Sequence, residues 1–221
     1  MRYAPRDDME ITLHGQQLIL HPQRAVIWPA RKTLLIADPH FGKDDVFRRA
    51  GIALPRGPVI ADLQRLTALI ESEAPERLVV LGDFVHAATR AGDSFLHAFQ
   101  VWRRAHAQLN VEVIAGNHDR REATDKWQGL ALWHAHALIE PPFVLAHEPE
   151  AHAEGYVIAG HIHPAVRLPA RGVGRVAVFW QREQALVLPS FGSFTGAALV
   201  RPLPEDKIYA VGPERIVPLR F

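Results

Sequence analysis

Five short polar blocks are spaced along this chain, and each lies at the end of a hydrophobic run. Apolar runs of four or five residues bounded by turn residues are typical of buried β-strands. The ends of neighbouring strands deliver their side chains to one edge of a sheet, so the five blocks are expected to meet there. They are Asp38-Pro39-His40, Gly82-Asp83-Phe84-Val85-His86, Gly116-Asn117-His118-Asp119, His147 and Gly160-His161-Ile162-His163.

The remaining pattern predicts strand–helix alternation followed by a strand-rich half. Residues 10–28 alternate apolar and polar positions around a glycine turn, which predicts a β-hairpin followed by a strand at 24–28. Helices are predicted at 43–50, 58–73 and 93–107, and a loop at 51–57 from its glycine and proline content. Further strands are predicted at 33–37, 77–81, 111–115, 142–146, 155–159, 165–168, 175–180 and 184–188. This order favours an α/β fold with two packed β-sheets and helices outside.

The ends of the chain carry weaker signals. After Arg201 the sequence contains four prolines and predicts an extended strap. With 221 residues, 48% of them hydrophobic, and no linker or repeat, residues 1–221 are expected to form a single domain.

The composition excludes several classes of protein. There are no cysteines, so disulfide bonds, thiolate zinc sites and cysteine nucleophiles are impossible. The formal charge of +1 by itself predicts neither a nucleic acid nor an acidic partner. Met1–Glu10 carries five charged residues and no apolar core, unlike a signal peptide. No apolar run approaches the ~20 residues of a membrane helix. We therefore expect a cytoplasmic protein without a membrane partner.

The five blocks supply carboxylate, imidazole and carboxamide groups, which are ligands of hard-to-borderline divalent cations. Asp83 is suited to bridge two ions, because the preceding glycine lets the backbone approach closely. Asparagine is an unusual ligand whose amide oxygen binds a cation without adding negative charge. The count favours two sites of four ligands, namely Asp38, His40, Asp83 and His163 at one, and Asp83, Asn117, His147 and His161 at the other. Such a pair of sites is typical of two-metal phosphoesterases.

Residues next to these ligands are candidates for contacts with a substrate. His118 cannot easily share the ion bound by Asn117, but it can face the substrate as a general acid, with Asp119 holding its tautomer. Asn117 can also stabilise charge on a phosphate oxygen. For His86, a substrate contact and a turn cap are equally open. Arg120 follows the third block directly and is well placed to contact a neighbouring phosphate.

Other basic and aromatic residues leave the nature of the substrate open. Paired or single arginines recur near the blocks, at Arg48-Arg49, Arg56, Arg103-Arg104 and Arg120-Arg121. They either line a basic surface or form solvated helix faces, and the second is favoured for Arg103-Arg104. Phe41, Phe47 and Trp127 either stack on bases or, more commonly for such residues, belong to the core. Since no nucleic-acid reading motif is found, only sequence-independent backbone binding is predicted.

The ordered blocks resemble the calcineurin-like metallophosphoesterase superfamily, whose pattern is D-x-H, G-D, G-N-H-[DE], H and G-H-x-H. The resemblance spans residues 38–163 and implies a four-layer sandwich of two packed mixed β-sheets flanked by helices. Residues 38–43, 47–52 and 188–196, with Pro55 and Gly57, further resemble the bacterial branch of ligase-associated DNA damage response endonucleases.

That branch implies a specific chemistry and a specific biological setting. Its members carry out manganese-dependent phosphodiester hydrolysis, including nicking of single-stranded DNA, so the resemblance implies two divalent ions, Mn2+, as cofactors. It also implies a role in DNA repair and functional association with a DNA ligase, an exonuclease-like protein and a helicase.

Two other functions remain open from the sequence. A phosphodiesterase or phosphatase acting on nucleotides would share every metal ligand, but would have a closed pocket in place of an open basic groove. An inactive, metal-bound scaffold for partner proteins is disfavoured, because neither a ligand nor the general-acid histidine is missing.

Overall fold

A computed structural model of the chain describes residues 8–51, 58–90, 93–119, 124–168 and 174–220. The helices in these residues are α1 (Lys43–Arg49), α2 (Pro58–Glu73) and α3 (Ser94–Ala105). The strands are β1 (Met9–Leu13), β2 (Gln16–His21), β3 (Ala25–Trp28), β4 (Thr33–Ile36), β5 (Arg77–Leu81), β6 (Asn110–Ile114), β7 (Leu132–His134), β8 (Leu138–Glu140), β9 (Phe143–Leu145), β10 (Tyr156–Ala159), β11 (Pro164–Arg167), β12 (Arg175–Gln181), β13 (Ala185–Val187), β14 (Ala198–Leu199), β15 (Lys207–Val211) and β16 (Ile216–Leu219).

The first sheet contains seven strands in the order β1-β2-β3-β4-β5-β6-β7. The predicted hairpin is confirmed: β1 and β2 are antiparallel, and they turn at His14 and Gly15, whose positive φ angles of 45° and 77° suit a type I′ turn. From β4 to β7 the neighbours are parallel, and parallel neighbours need long crossovers. The ends of β4, β5 and β6 therefore lie at the same edge of the sheet.

The second sheet is also mixed, in the order β14-β11-β12-β13-β10-β9-β8, with β15 added to β12 and β16 to β15. Strands β9, β10 and β13 are parallel neighbours, so β9 and β10 also end at a common edge. The expected C-terminal strap is wrong, because β15 and β16 form an antiparallel hairpin. Among the described strands β16 pairs only with β15, and such an edge strand tolerates Pro218.

The core forms on both faces of the first sheet because side chains along a strand alternate between faces. Leu35 packs with Leu145 in a cluster between the two sheets. Leu34, the preceding residue, packs with Leu66 of α2 and Phe99 of α3 on the opposite face of the first sheet. In the described residues, two further apolar clusters of the second sheet consist of strand and loop residues. The expected fold, an α/β sandwich of two mixed sheets with helices, is confirmed.

Most predicted elements lie within one or two residues of their observed bounds. Apart from the C-terminal hairpin, three strands were not expected, namely β7, β8 and β14, because each has only two or three residues and no apolar–polar alternation long enough to detect. The loop predicted at 51–57 falls outside the described residues except for Gly51. Within the described part of the chain, no helix is long and apolar enough to span a membrane.

Candidate metal centre

Backbone hydrogen bonds join the polar blocks beyond the ends of their strands. The backbone N–H of His40 donates to the carbonyl of Asp83 (2.9 Å), which continues the pairing of β4 with β5. In the second sheet, the N–H of Gly160 donates to the carbonyl of His147 (3.1 Å). The N–H of His161, which follows a strand of the second sheet, donates to Oδ2 of Asp38, which follows a strand of the first sheet (2.8 Å). The two sheet edges therefore form one continuous site.

Asp38, His40 and His163 form a first group, whose ligand atoms lie within 4.8 Å of one another. His163 Nε2 lies 3.5 Å from Asp38 Oδ2 and 3.4 Å from His40 Nε2. His40 Nε2 is also 3.6 Å from Asp83 Oδ2, so Asp83 reaches this group. Two neutral imidazoles whose nitrogen lone pairs face each other form no hydrogen bond, whereas the two lone pairs together can coordinate one cation.

Asp83, His147 and His161 form a second group with the same spacing. His147 Nε2 lies 3.0 Å from His161 Nδ1, 3.0 Å from Asn117 Oδ1 and 3.7 Å from Asp83 Oδ1. One oxygen of Asp83 thus faces the first group and the other faces the second, which suits a bridging carboxylate. The structure brings together all seven residues expected as ligands.

The backbone at five of these residues adopts the left-handed conformation. The residues are Asp38, His40, Asp83, His161 and His163, with φ between 45° and 70°. A residue with a side chain pays about 1–3 kcal/mol for such a conformation, and it persists only where the surrounding structure enforces it. Strain of this kind concentrates at functional sites, and here it aims the side chains of neighbouring blocks toward one another.

Glycines allow this close approach at three blocks. A Cβ added to Gly82 would lie 2.7 Å from His147 Cβ and closer still to the imidazole ring. A Cβ on Gly116 would meet the Asp83 carboxylate, and one on Gly160 would meet Asp38. The glycine in each block is therefore required by a ligand from another block.

Burial controls the protonation of the central ligands. It raises the pKa of Asp38, although the hydrogen bond to His163 acts in the opposite direction. Burial and the neighbouring histidines lower the pKa of His40 to about 2, so its imidazole is neutral and keeps a lone pair. Asp38 Oδ1 is buried without a hydrogen-bond partner among the described residues. A divalent cation fits this buried set of oxygen and nitrogen donors, in which Asp38 supplies the carboxylate and His40 a neutral imidazole.

The sequence model of the calcineurin-like phosphoesterases matches residues 31–163, more than half of the chain and all five blocks. The chain belongs to the calcineurin-like phosphoesterase family. Among solved structures, Pseudomonas putida nuclease MPE is similar to this phosphoesterase, with 37% sequence identity and a TM-score of 0.84. That match covers 96% of this chain and 100% of the nuclease chain.

Two further structures are similar at lower identity. The protein of unknown function AQ665 from Aquifex aeolicus has 17% identity and a TM-score of 0.43, covering 59% of this chain and 78% of that chain. Yfce, a phosphoesterase from E. coli, has 15% identity and a TM-score of 0.45, and the match covers 84% of this chain and 96% of that chain. No curated protein matches the chain.

His118 lies at the exposed rim of the phosphoesterase site, beside His86. The two rings stack with centroids 5.2 Å apart and planes inclined by 23°. His118 Nδ1 lies 2.9 Å from the carbonyl oxygen of His86. Because a carbonyl only accepts, Nδ1 carries the hydrogen and Nε2 is the atom left to face a substrate. Burial and the nearby charge of Lys43 lower the pKa of His86 to about 4.

The contacts of Asp119 differ from the expected role. Its buried carboxylate accepts hydrogen bonds from the backbone N–H groups of Gly116 (2.9 Å), Phe84 (3.1 Å) and Val85 (3.0 Å). Burial raises the pKa of Asp119 to about 6, although these hydrogen bonds oppose the rise. Asp119 thus ties the second block to the third, and the tautomer of His118 is set by the backbone carbonyl described above. The expectation that Asp119 holds the tautomer is corrected accordingly.

The turn at residues 190–196 contacts the candidate metal ligands Asp38 and His163. Ser190 Oγ donates to the backbone carbonyl of Asp38 (2.7 Å). His163 Nδ1 lies 3.2 Å from the carbonyl oxygen of Gly196, which orients the ring and leaves Nε2 to face the first group. Reasoning from single residues missed this role. The resemblance of residues 188–196 to the nuclease branch was the only sequence signal that could have found it.

The three aromatic candidates for base stacking differ in how far their side chains are buried. Phe41 and Trp127 are 1% and 0% exposed and belong to the core beneath the helices, so they cannot stack on a substrate. Phe47 is half-buried and packs on Phe194, with ring centroids 5.7 Å apart. Phe194 was not among the candidates, although it is 40% exposed.

The arginine candidates are mostly engaged with the protein itself. Arg48 and Arg49 form ion pairs with Asp45 and Asp93, respectively. The solvated helix face favoured for Arg103-Arg104 holds for the exposed Arg104, whereas Arg103 donates to the backbone carbonyls of Leu130 and His106. Arg56, Arg120 and Arg121 lie outside the described residues.

Proposed function

We propose that this phosphoesterase is a metal-dependent phosphodiesterase that cuts single-stranded DNA as an endonuclease in DNA repair. The similarity to Pseudomonas putida nuclease MPE supports this assignment, because it extends over 96% of the chain at 37% identity. The same proposal includes Mn2+ as cofactor, action in the cytoplasm, a single domain over residues 1–221, and a DNA ligase, an exonuclease-like protein and a helicase as functional partners.

The two groups of side chains are the proposed ligands of two divalent ions. Asp38, His40, Asp83 and His163 form one site, and Asp83, Asn117, His147 and His161 form the other. Two such ions supply Lewis-acid activation of water and neutralise charge on the phosphate. The two oxygens of Asp83 face the two groups, and the buried Oδ1 of Asp38, which has no hydrogen-bond partner among the described residues, supports the presence of a cation.

The protein's own contribution beyond the ligands centres on His118. Its Nδ1 faces the carbonyl of His86, so a proton for the leaving oxygen must come from Nε2 of the imidazolium form. The stacked ring of His86 limits rotation of His118 and is itself available to the substrate. Asn117 is exposed, and its amide nitrogen can donate to a phosphate oxygen while Oδ1 faces His147. Arg120, which follows the block, is proposed to contact a neighbouring phosphate.

A covalently closed, single-stranded DNA circle provides the test. Metal-stripped protein resupplied with Mn2+ is expected to linearise the circle, which only an endonuclease can do because a circle has no ends. Asp83→Ala is the control for contaminating nucleases, because Asp83 faces both groups of ligands. A circle that stays closed while a small phosphodiester is hydrolysed would contradict the assignment of DNA as substrate.

A cleft beside the second group favours nucleotide chemistry as the alternative function. It has a volume of about 310 Å³, and Asn117 and His147 are among its lining residues. That volume is within the range of small-molecule sites. The exposed Glu148 and Glu150 at the same cleft repel a DNA backbone more than they repel a base. Turnover of a cyclic nucleotide together with an intact DNA circle would favour this alternative.

A further inference from the structure

The turn at residues 190–196 holds one exposed aromatic side chain in a fixed position. On one side of Phe194, the backbone N–H and Oγ of Ser193 donate to the Asp62 carboxylate (3.0 and 3.1 Å). On the other side, Thr195 Oγ1 donates to the carbonyl of Gly192 (2.7 Å). Both neighbours of Phe194 are thus anchored, and the backbone presenting the ring has little freedom to lose when a ligand binds.

The anchor beneath this turn is built from buried charges. Asp62 pairs with Arg65 on α2 (3.0 Å), and the Arg65 guanidinium lies 4.0 Å from the centre of the Phe191 ring. Arg65 also donates to the backbone carbonyl of Phe191. Arg65 therefore holds the turn near its start, at Phe191, and Asp62 holds it in the middle, at Ser193.

The Phe194 ring is supported by two neighbours and remains exposed. Lys43 Nζ lies 5.5 Å from the ring centre, and Phe47 meets the ring edge-to-face at 76°. Even so, 40% of the Phe194 surface is exposed, whereas most large aromatic side chains of the chain belong to the core. Exposure in a mobile loop is unremarkable, but here it is maintained by specific hydrogen bonds.

This aromatic ring lies next to the first group of metal ligands. Phe194, Lys43 and His40 line one narrow cleft. The two acidic residues of that cleft are each neutralised by an arginine: Asp44 by Arg48 (3.1 Å) and Asp62 by the arginine described above. Within the described part of the chain, Lys43 has no ion-pair partner, so it is the positive charge available to an anion at the mouth of this cleft.

We propose that Phe194 is a stacking platform for an unpaired base of the DNA strand, with Lys43 contacting the adjoining phosphate. The inference rests on the proposed function and specifies how that function recognises single strands. A base with a free face can stack on Phe194 only when it is not stacked within a duplex. A preference for single strands then follows from stacking alone, without hydrogen bonds to the edges of the bases.

The size of the platform argues for a base as the occupant. One exposed ring beside one lysine offers far less than the ~800 Å² per partner of a stable protein interface. A base needs only one aromatic face, and a lysine within reach matches the phosphate of the same nucleotide in charge. The position beside His40 places this nucleotide next to the proposed site of cleavage.

Substitution of Phe194 tests the platform directly. The measured quantity is the ratio of kcat/KM on a single-stranded oligonucleotide to kcat/KM on bis(p-nitrophenyl) phosphate, with Mn2+ present. Phe194→Ala is expected to lower this ratio about 5- to 150-fold, the loss typical of one stacked base. Phe194→Trp should retain the ratio, whereas Phe194→Leu, which is apolar without an aromatic face, should lower it. Leu203→Ala is the matched control, because Leu203 is also an exposed apolar residue (54%) and lines a different cleft.

Abasic oligonucleotides locate the base that stacks. A series is made in which each nucleotide near the cut lacks its base in turn. The wild-type protein should lose cleavage at one position of the series, and Phe194→Ala should show no additional loss there. Independent losses from the substitution and from the missing base would overturn the proposal.

The result also separates this inference from the proposed function. If the wild-type protein cuts the single strand and Phe194→Ala cuts it equally well, the platform is wrong and the endonuclease stands. If the wild-type protein cuts no single-stranded DNA, the proposed function fails and the platform fails with it. An equal loss in Phe194→Ala and Phe194→Trp would also overturn the platform, because it would show that only the shape of the turn matters.

Discussion

Replacing Gly160 with alanine tests whether the glycines set the geometry of the metal centre. A Cβ at this position would lie 2.6 Å from Ala37 Cβ and closer still to Asp38 Oδ2. Ordinary contact begins at 3.4 Å, so Ala37 must move by 0.8 Å, and the carboxylate by roughly as much or more. Overpacking of this kind costs about 1–3 kcal/mol of stability. A catalytic group displaced by roughly 1 Å lowers turnover about 100-fold. The φ of Gly160 is outside the left-handed region, so the effect is steric rather than conformational.

Two measurements separate the loss of geometry from the loss of fold. Calorimetric titration with Mn2+ is expected to show weaker binding by Gly160→Ala, and hydrolysis of bis(p-nitrophenyl) phosphate should fall about 100-fold. Gly174→Ala is the matched control, because a Cβ there has no neighbour within 4 Å among the described residues. Thermal unfolding of the metal-free proteins checks that both variants are folded. A folded Gly160→Ala that binds Mn2+ and turns over like the wild type would refute the argument that Gly160 is needed for Asp38 to reach its position.

Three further substitutions have specific expected outcomes. His118→Ala should reduce cleavage of DNA more than hydrolysis of nitrophenyl esters, because only the poor leaving group needs a proton; equal losses in kcat would argue against a general acid. Asp62→Ala should lower the free energy of unfolding by about 3 kcal/mol, since it leaves the largely buried Arg65 unpaired, and urea denaturation measures this change. Lys43→Gln should reduce the slope of log affinity against log salt for a single strand by about 0.7, as expected for one lost phosphate contact; an unchanged slope would exclude that contact.

Local sequence is sufficient for the ligands because each block is a short run at the end of a strand. The apolar run before Asp83 predicts β5 from its own composition, and the glycine after the run predicts a turn. The same is true of β10 and the Gly-His-Ile-His block. Strand existence and the chemistry of the side chains that follow could therefore be predicted without knowing the tertiary structure.

The outcomes that depended on packing could not be predicted in this way. Phe41 and Phe194 are the same residue type close to the same site, yet one is 1% exposed and the other 40% exposed. Asp119 was expected to contact its neighbour in sequence, but three backbone N–H groups satisfy its carboxylate, and two of them, those of Phe84 and Val85, belong to the second block. Burial and hydrogen-bond partners are set by segments distant in the sequence, and no local pattern records them.

The sequence by itself determined which groups this protein can offer a metal ion and in what order along the chain. The tertiary structure alone decided that the edges of two sheets meet, through the contact of His161 with Asp38. It also decided that the turn at residues 190–196 supports the site and that the C-terminal segment is a hairpin rather than a strap. The physical reason is that the identity of a ligand is a property of one residue, whereas its position depends on contacts between residues more than a hundred positions apart.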